Sequence, residues 1–473
     1  MNTRGLAFLV GSTLLLTGCA VGPDYERPAV NLPGSFPDAP ADTGASAALR
    51  SDWWTLYDDP KLNELVAGAL ERNADLRLAV ARIEESDANL REANASFLPG
   101  IDLGATANRS RSSTITATPL PPGTPVVRDN VRLSASTAFE VDFWGRLRRA
   151  REAARAEALG TRYAKEVVAL TLAGLTAQAY FSLRSLEAQV AVTRETLANR
   201  EESLTFVRRR AQGGIASDLD VNQAEAARAD AAIQLKELQR QRALIEHQLG
   251  ALTGRLDLTV ASGDLLVLPM PALPPADLPS TLLERRPDVR QAEQDLISAN
   301  AQIGVAKAAL LPTISLTGAF GAESDALSTL LDSGGRIWSL GFGLSLPIFS
   351  AGRYAARTDA ARARERQSLA GYQKAIETAF REVADALSTL QYSGAAEQDY
   401  RARAEAARKA LRLARLRYES GYSAYFEVLD AQRTANDAEL GLIRNRQSRL
   451  SGSVDLMKAL GGGWSADHAA AKP

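Results

Sequence analysis

Val131–Phe143 reads VRLSASTAFEVDF. Val131, Leu133, Ala135, Thr137, Phe139, Val141 and Phe143 share one face of an extended chain, and Arg132, Ser134, Ser136, Glu140 and Asp142 share the other. That two-residue period is the mark of a β-strand. From Gly145 to Gly213, by contrast, there is no proline, and Ala, Leu, Arg and Glu predominate, residues that lose little entropy in a helix. The fold must therefore explain a few strictly alternating strands in a helical chain.

The chain repeats itself. NADLRLAVARIEESDANLREANASFLPGIDLGA, from Asn73, lies without a gap over RPDVRQAEQDLISANAQIGVAKAALLPTISLTG, from Arg286, an offset of 213. Asp75 falls on Asp288, Arg77 on Arg290, Ala88 on Ala301, Pro99 on Pro312 and Leu103 on Leu316. At an offset of 207, Gly145-Arg146 lies over Gly352-Arg353, and RAQGGIASDLDVNQAE, from Arg210, lies over RYESGYSAYFEVLDAQ, from Arg417. The chain is thus two copies of one unit, each reading helix, strand, strand, long helix, turn, helix.

In the first copy Leu76, Val80, Ile83, Leu90 and Phe97 keep helical spacing until Pro99 stops them, and Ile101, Leu103, Ala105 and Ala107 alternate as the first strand. In the second, Ile314, Leu316 and Phe320 alternate, followed by Trp338, Leu340, Phe342, Leu344, Leu346 and Ile348, whose facing set is Ser339, Gly341, Gly343 and Ser345. Four strands in two hairpins are expected. A helix from Gly145 to Gly213 would run about 100 Å, too long for a globular core. Gly213-Gly214 and Ser420-Gly421 turn the two long helices back, with return helices predicted over 217–253 and 423–460.

Apolar faces of this length suit a membrane β-barrel, lipid outside and small or polar residues lining the lumen. They also suit a small soluble sheet packed on helices; Trp338 and the small facing set favour the barrel. Four strands cannot close a barrel, because an open edge in lipid strands its backbone groups, so oligomerisation is required. Copies that pool their strands can also pool their long helices into a tube.

Composition removes several function classes. Lys plus Arg is 55 and Asp plus Glu is 56 across 473 residues, a net charge of -1, which gives no basic field for nucleic acid. With only His247 and His468, and with no GxSxG or HExxH motif, no catalytic residue, metal site or cofactor is expected. Cys19 is the single cysteine, so no intrachain disulfide can form. It follows Arg4, the apolar run LAFLVGSTLLL and Leu16-Thr17-Gly18. This resembles a bacterial lipobox, in which the cysteine is lipidated and anchors the chain; an ordinary cleaved export signal is the alternative. Ala20 rather than Asp after the cysteine favours the outer membrane in that resemblance. No other segment reaches 18 apolar residues, and no transmembrane helix is expected.

The internal repeat, the lipobox, DWWTLYDDPKLNELVAGALERNADL and the two turn sequences together resemble the TolC-like outer-membrane efflux factors. Within these, the chain is most similar to the lipoprotein (NodT-type) branch that serves resistance-nodulation-division pumps. The resemblance spans Tyr25 to Gly461. It implies a homotrimer with a 12-stranded barrel and a 12-helix periplasmic tunnel. Such a trimer is an outer-membrane exit channel, fed with small molecules such as drugs by an inner-membrane resistance-nodulation-division pump through a periplasmic adapter (membrane fusion) protein. A type I secretion exit channel shares this architecture; a non-conducting lipid-anchored scaffold would have no need of four lipid-suited strands. The expected organisation is a signal peptide over 1–18, a lipid-anchored arm over 19–52, a first repeat over 53–260, a linker over 261–280, a second repeat over 281–460 and a tail over 461–473.

The same resemblance assigns site residues. YFEVLDAQR carries the family's periplasmic constriction, so Phe426 supplies an apolar ring, where the family has an aliphatic residue, and Asp430 with Arg433 supplies charge one turn further on. At i and i+3 these two can pair within a chain, and an ordinary exposed helix pair looks the same in sequence. Tyr418 occupies a position that holds the tip helices through polar links to their neighbours; local packing is its alternative role. Gly213, Gly214, Ser217, Asp218 and Gly421 are candidates for adapter docking.

Overall fold

A computed structural model of the protein describes residues 20–36, 38, 50–117, 120–272 and 279–464. The signal segment and Cys19 lie outside them, as do most of the arm beyond Phe36, part of the linker and the end of the tail.

Helices α1 (Pro60–Arg72) and α2 (Ala74–Ala95) lead to strands β1 (Gly100–Arg111) and β2 (Val127–Val141). The long helix α3 (Arg146–Gln212) and its return α4 (Asp218–Thr253) complete the first repeat. The second repeat carries the short α5 (Leu282–Arg285), α6 (Pro287–Ala308), β3 (Thr313–Ser324), β4 (Arg336–Ser345), α7 (Arg353–Glu419) and α8 (Tyr425–Ala459). Both long helices have 67 residues, about 100 Å each.

Small departures from the expected boundaries have local causes. Strand β4 ends at Ser345 although alternation continues to Ile348, because Pro347 has no N–H for the ladder. Helix α2 ends at Ala95, and its last turn tightens into the bonds Phe97 N–H to Asn94 and Leu98 N–H to Ala95 before Pro99, which holds Leu98 out of the helical region. Strands β1 and β2 extend into polar sequence, where Arg109 pairs with Asp129 and Arg111 with Val127 across the ladder. Apolar alternation carries no signal there.

The chain divides into two compact units. One comprises residues 1–28, 83–160 and 292–371. It holds a single antiparallel sheet in the order β1-β2-β3-β4, in which β2–β3 pairing fuses the two expected hairpins. Strands β1 and β4 have one neighbour each and are open edges. The register puts Ile101, Leu103, Leu133, Leu316, Phe320, Trp338, Leu340 and Phe342 on one face. That face is bare: Ile101, Leu103, Trp338, Leu340 and Phe342 are between 68% and 83% exposed, which rules out a sheet packed on helices. Asp142 caps the first turn of α3, accepting from the backbone N–H groups of Leu147 (2.9 Å) and Arg148 (3.0 Å). The N-terminal strap, residues 20–28, is fastened within this unit. The Val21 N–H donates to the Trp144 carbonyl at 3.0 Å, Arg149 bonds Asp24 at 2.6 Å, and Arg27 makes two bonds to Glu293 at 2.6 and 3.0 Å.

The other unit comprises residues 29–82, 161–291 and 372–473. Its core packs Trp53, Tyr57, Leu62 and Val66 against Ala177, Tyr180, Phe181 and Leu183 of α3, Leu249 of α4 and Leu450, Val454 and Met457 of α8. Two tyrosines buried in this core have paired hydroxyls. The Tyr57 hydroxyl meets Ser453 Oγ at 2.7 Å, and the Tyr180 hydroxyl donates to Asp59, whose carboxylate also caps α1. Burial pushes both tyrosine pKa values up, so both stay protonated. Among the described helices α3 is long and apolar enough to cross a membrane by length and composition, but its apolar stretch is half buried, in keeping with the core role of Leu172, Ala173, Ala177 and Phe181.

Candidate functional site: the paired helix turns

The two turns that join α3 to α4 and α7 to α8 have the same hydrogen-bonding pattern. In the first, the Ile215 N–H donates to the Arg210 carbonyl (2.8 Å) and the Gly214 N–H to that of Ala211 (2.9 Å). In the second, Tyr422 donates to Arg417 (2.8 Å) and Gly421 to Tyr418 (3.0 Å). Each is a Schellman closure, which needs a left-handed residue after the helix; Gly214 has φ +72° and Gly421 has φ +80°, where a Cβ would be strained. The repeat is thus preserved in the Schellman bonds of both turns.

The return helices start differently. Ser217 caps α4 in a reciprocal box: its hydroxyl accepts from the Asp220 N–H at 3.2 Å while the Asp220 carboxylate accepts from the Ser217 N–H at 3.1 Å. At the matching position α8 has Ala424, with no side-chain cap, and Glu427, the counterpart of Asp220, lies 3.8 Å from Arg417. Ala424→Ser would recreate the box with Glu427. We expect it to stabilise the first turn of α8 by about 1 kcal/mol, read as slower hydrogen exchange at residues 425–427; Ser217→Ala should speed exchange in α4 by a similar free energy.

The two turns share a small core of Leu204, Val207, Ala224, Tyr418, Tyr425 and Val428. Tyr418 is at its centre, with its ring 5.3 Å from Tyr425 and 6.0 Å from Phe206. The Arg210 guanidinium lies 5.0 Å from the Tyr418 ring and 5.7 Å from that of Phe206, and donates to the Tyr418 carbonyl at 3.1 Å. Arg210 therefore ties the first turn to the second. The Tyr418 hydroxyl is buried and makes no hydrogen bond within the chain; its ring and carbonyl make the links to Arg210. Burial pushes the Tyr418 pKa up, and burial together with Tyr418 pushes Tyr425 up to about 12.

Asp430 and Arg433 form an ion pair of 2.9 Å on the outside of α8, with side chains 53% and 72% exposed. At that exposure the pair contributes a few tenths of a kcal/mol at most within one chain. Phe426 projects into solvent, 66% exposed. Gly213, Gly214, Ser217, Asp218 and Gly421 are all exposed. Three exposed apolar residues escaped the sequence reading: Ile215, Leu219 and Tyr422. The signal was available, because at the offset of 207 Ile215 matches Tyr422 and Leu219 matches Phe426. Both turns thus present an apolar pair at equivalent positions, which is a surface suited to contact rather than to water.

The family model described as outer membrane efflux protein matches residues 65–255 and 278–462. The chain is 36% identical to outer membrane protein OprJ of Pseudomonas aeruginosa, over 98% of this chain and 97% of that one. It is 35% identical to the toluene efflux pump outer membrane protein TtgF of Pseudomonas putida, over 100% and 99%. Among solved structures it superposes on the Campylobacter jejuni CmeC outer membrane channel with a TM-score of 0.86 at 26% identity, covering 94% of this chain and 96% of that one. The open state of the Neisseria gonorrhoeae MtrE outer membrane channel gives a TM-score of 0.83 at 31% identity, covering 94% and 98%.

Proposed function

Because the chain belongs to the outer membrane efflux protein family, whose members are outer-membrane efflux channels and not enzymes, we propose that it works as a homotrimer, the passive exit duct of a tripartite efflux system. The observation that carries this reading is the four-stranded sheet with one bare apolar face and two open edges. In lipid each unpaired edge group costs several kcal/mol. Three copies that pair β4 with the next β1 remove every edge and enclose a lumen lined by Ser134, Ser136, Ser339, Gly341 and Gly343, whose small side chains leave room for solutes.

The partners follow from what the chain lacks: a passive duct needs an energy source elsewhere. We assign that role to an inner-membrane resistance-nodulation-division pump, coupled through a periplasmic adapter that docks on the helix turns at Gly213, Gly214, Ser217, Asp218 and Gly421. The exposed Ile215, Leu219 and Tyr422 beside them give such a contact an apolar centre. Asp430, Arg433, Phe426 and Tyr418 form the gate: three copies of the first three converge on the axis, and Tyr418 holds together the turns that carry them. Small apolar compounds are the cargo, by analogy with the toluene pump named for one relative, and lipid on Cys19 anchors the chain.

The test is light scattering followed by planar-bilayer recording on the purified protein. Discrete single-channel steps from a particle three times the chain mass are expected. A monomer, or a trimer that never conducts, would end the conduit reading in favour of a scaffold.

A further inference from the structure

The strand register carries the lipid-facing set beyond its apolar part. On β1, Ile101, Leu103, Ala105 and Ala107 are followed on the same face by Arg109 and Arg111; on β4, Leu344, Phe342, Leu340 and Trp338 are followed by Arg336. All three arginines are exposed. At that end of the sheet the inner strands show no cation on this face: β2 presents Val127, Asp129 and Val131, and β3 presents Ala322 and Ser324. Asp129 lies 3.5 Å from Arg109, so one carboxylate stands against three guanidinium groups. The excess positive charge sits on the two edge strands alone.

These arginines lie at the ends joined by the connections 112–126 and 325–335, opposite the ends that run into the helices. With the helices in the periplasm, this is the outer rim. Strand β4 runs opposite to β1, so closing the barrel by β4–β1 pairing brings the loop end of β4, with Arg336, against the loop end of the next copy's β1, with Arg109 and Arg111. An arginine beyond a lipid-facing Trp sits at headgroup depth, where a guanidinium is tolerated, and its planar fork fits a phosphate with two hydrogen bonds.

We propose that each seam between protomers is a binding site for the phosphate groups of an outer-leaflet phosphoglycolipid, with Arg109 and Arg111 from one copy and Arg336 from its neighbour. The inference rests on the trimeric barrel reading. It gives the lipid a role in sealing the seams, since a bound headgroup bridges two chains.

The experiment is native mass spectrometry of the intact trimer offered lipid A carrying both phosphates, or the same lipid dephosphorylated. The wild type should retain the phosphorylated form, with occupancy falling about tenfold or more for the dephosphorylated lipid and for the Arg109→Gln/Arg111→Gln/Arg336→Gln variant. Arg128→Gln, on the lumen face, should bind as the wild type does. Bilayer conductance of the same samples separates the two readings. A conducting trimer whose triple variant retains lipid A unchanged overturns the seam site alone, and so does displacement of lipid A by inorganic phosphate, which would mark a site for the free anion. Failure to form a trimer removes both.

Discussion

Asp430→Ala should turn a channel that rests mostly closed into one with several-fold larger mean conductance at the same voltage. In one chain the Asp430–Arg433 pair is an exposed helix contact, too weak to hold anything shut. Threefold convergence in the proposed trimer changes this. Three carboxylates around one axis repel unless each is neutralised by a neighbouring guanidinium, so closure depends on ion pairs that the alanine removes. Arg433→Ala should open the channel too, but leaves three uncompensated aspartates and therefore a shift towards cation selectivity. Equal conductance in the wild type and both variants, all trimeric, would move the constriction elsewhere along the helices.

Gly321→Val should abolish the assembled trimer while leaving the helical circular dichroism nearly intact. Gly321 faces Ser134 across the β2–β3 ladder. A Cβ there would lie 2.1 Å from the Leu133 carbonyl oxygen and 2.6 Å from the Ser134 Cα. Both are main-chain atoms of a paired strand and cannot swing aside, so valine must separate β2 from β3. That ladder is the one joining the hairpins of the two repeats; without it each chain would carry four edges instead of two. Gly341→Ala is the control. Its Cβ meets only Thr317 Oγ1, at 2.7 Å, a side-chain atom that can rotate away, so assembly should survive. A Gly321→Val trimer with wild-type heat resistance would mean that the sheet tolerates the separation.

Where a physical period exists, the sequence was legible. Alternation at 131–143 identified a strand and its faces, the offset of 207 paired Gly214 with Gly421, and the proline-free runs marked the long helices. A period of two says nothing about which strand is the partner, so β2–β3 pairing could not be read from it. The strap at 20–28 has no periodicity, and its contacts are to residues far along the chain. Arg210 stands in the run Arg208-Arg209-Arg210, and only packing distinguishes the one that reaches across to Tyr418 from its neighbours. For Tyr418, expected from the resemblance to hold the tip helices through polar links, only the fold shows that within one chain its ring and carbonyl meet Arg210. The charges and apolar residues assigned to the gate and to adapter docking are at the surface of a single chain; what they do depends on copies and partners that no one chain's sequence describes.

The fastening of the strap also imposes an order of events on biogenesis. Arg27 and Glu293 are 266 positions apart, and β2 waits for β3 from the far repeat. Residues 20–28 can reach Trp144 and Arg149 early, but their fastening through Arg27 is complete only when the second repeat supplies Glu293. Throughout export, then, the apolar face of the first hairpin lacks its sheet. Such a segment pairs readily with the wrong edge, so translation products truncated before β3 should aggregate rather than accumulate as a folded half.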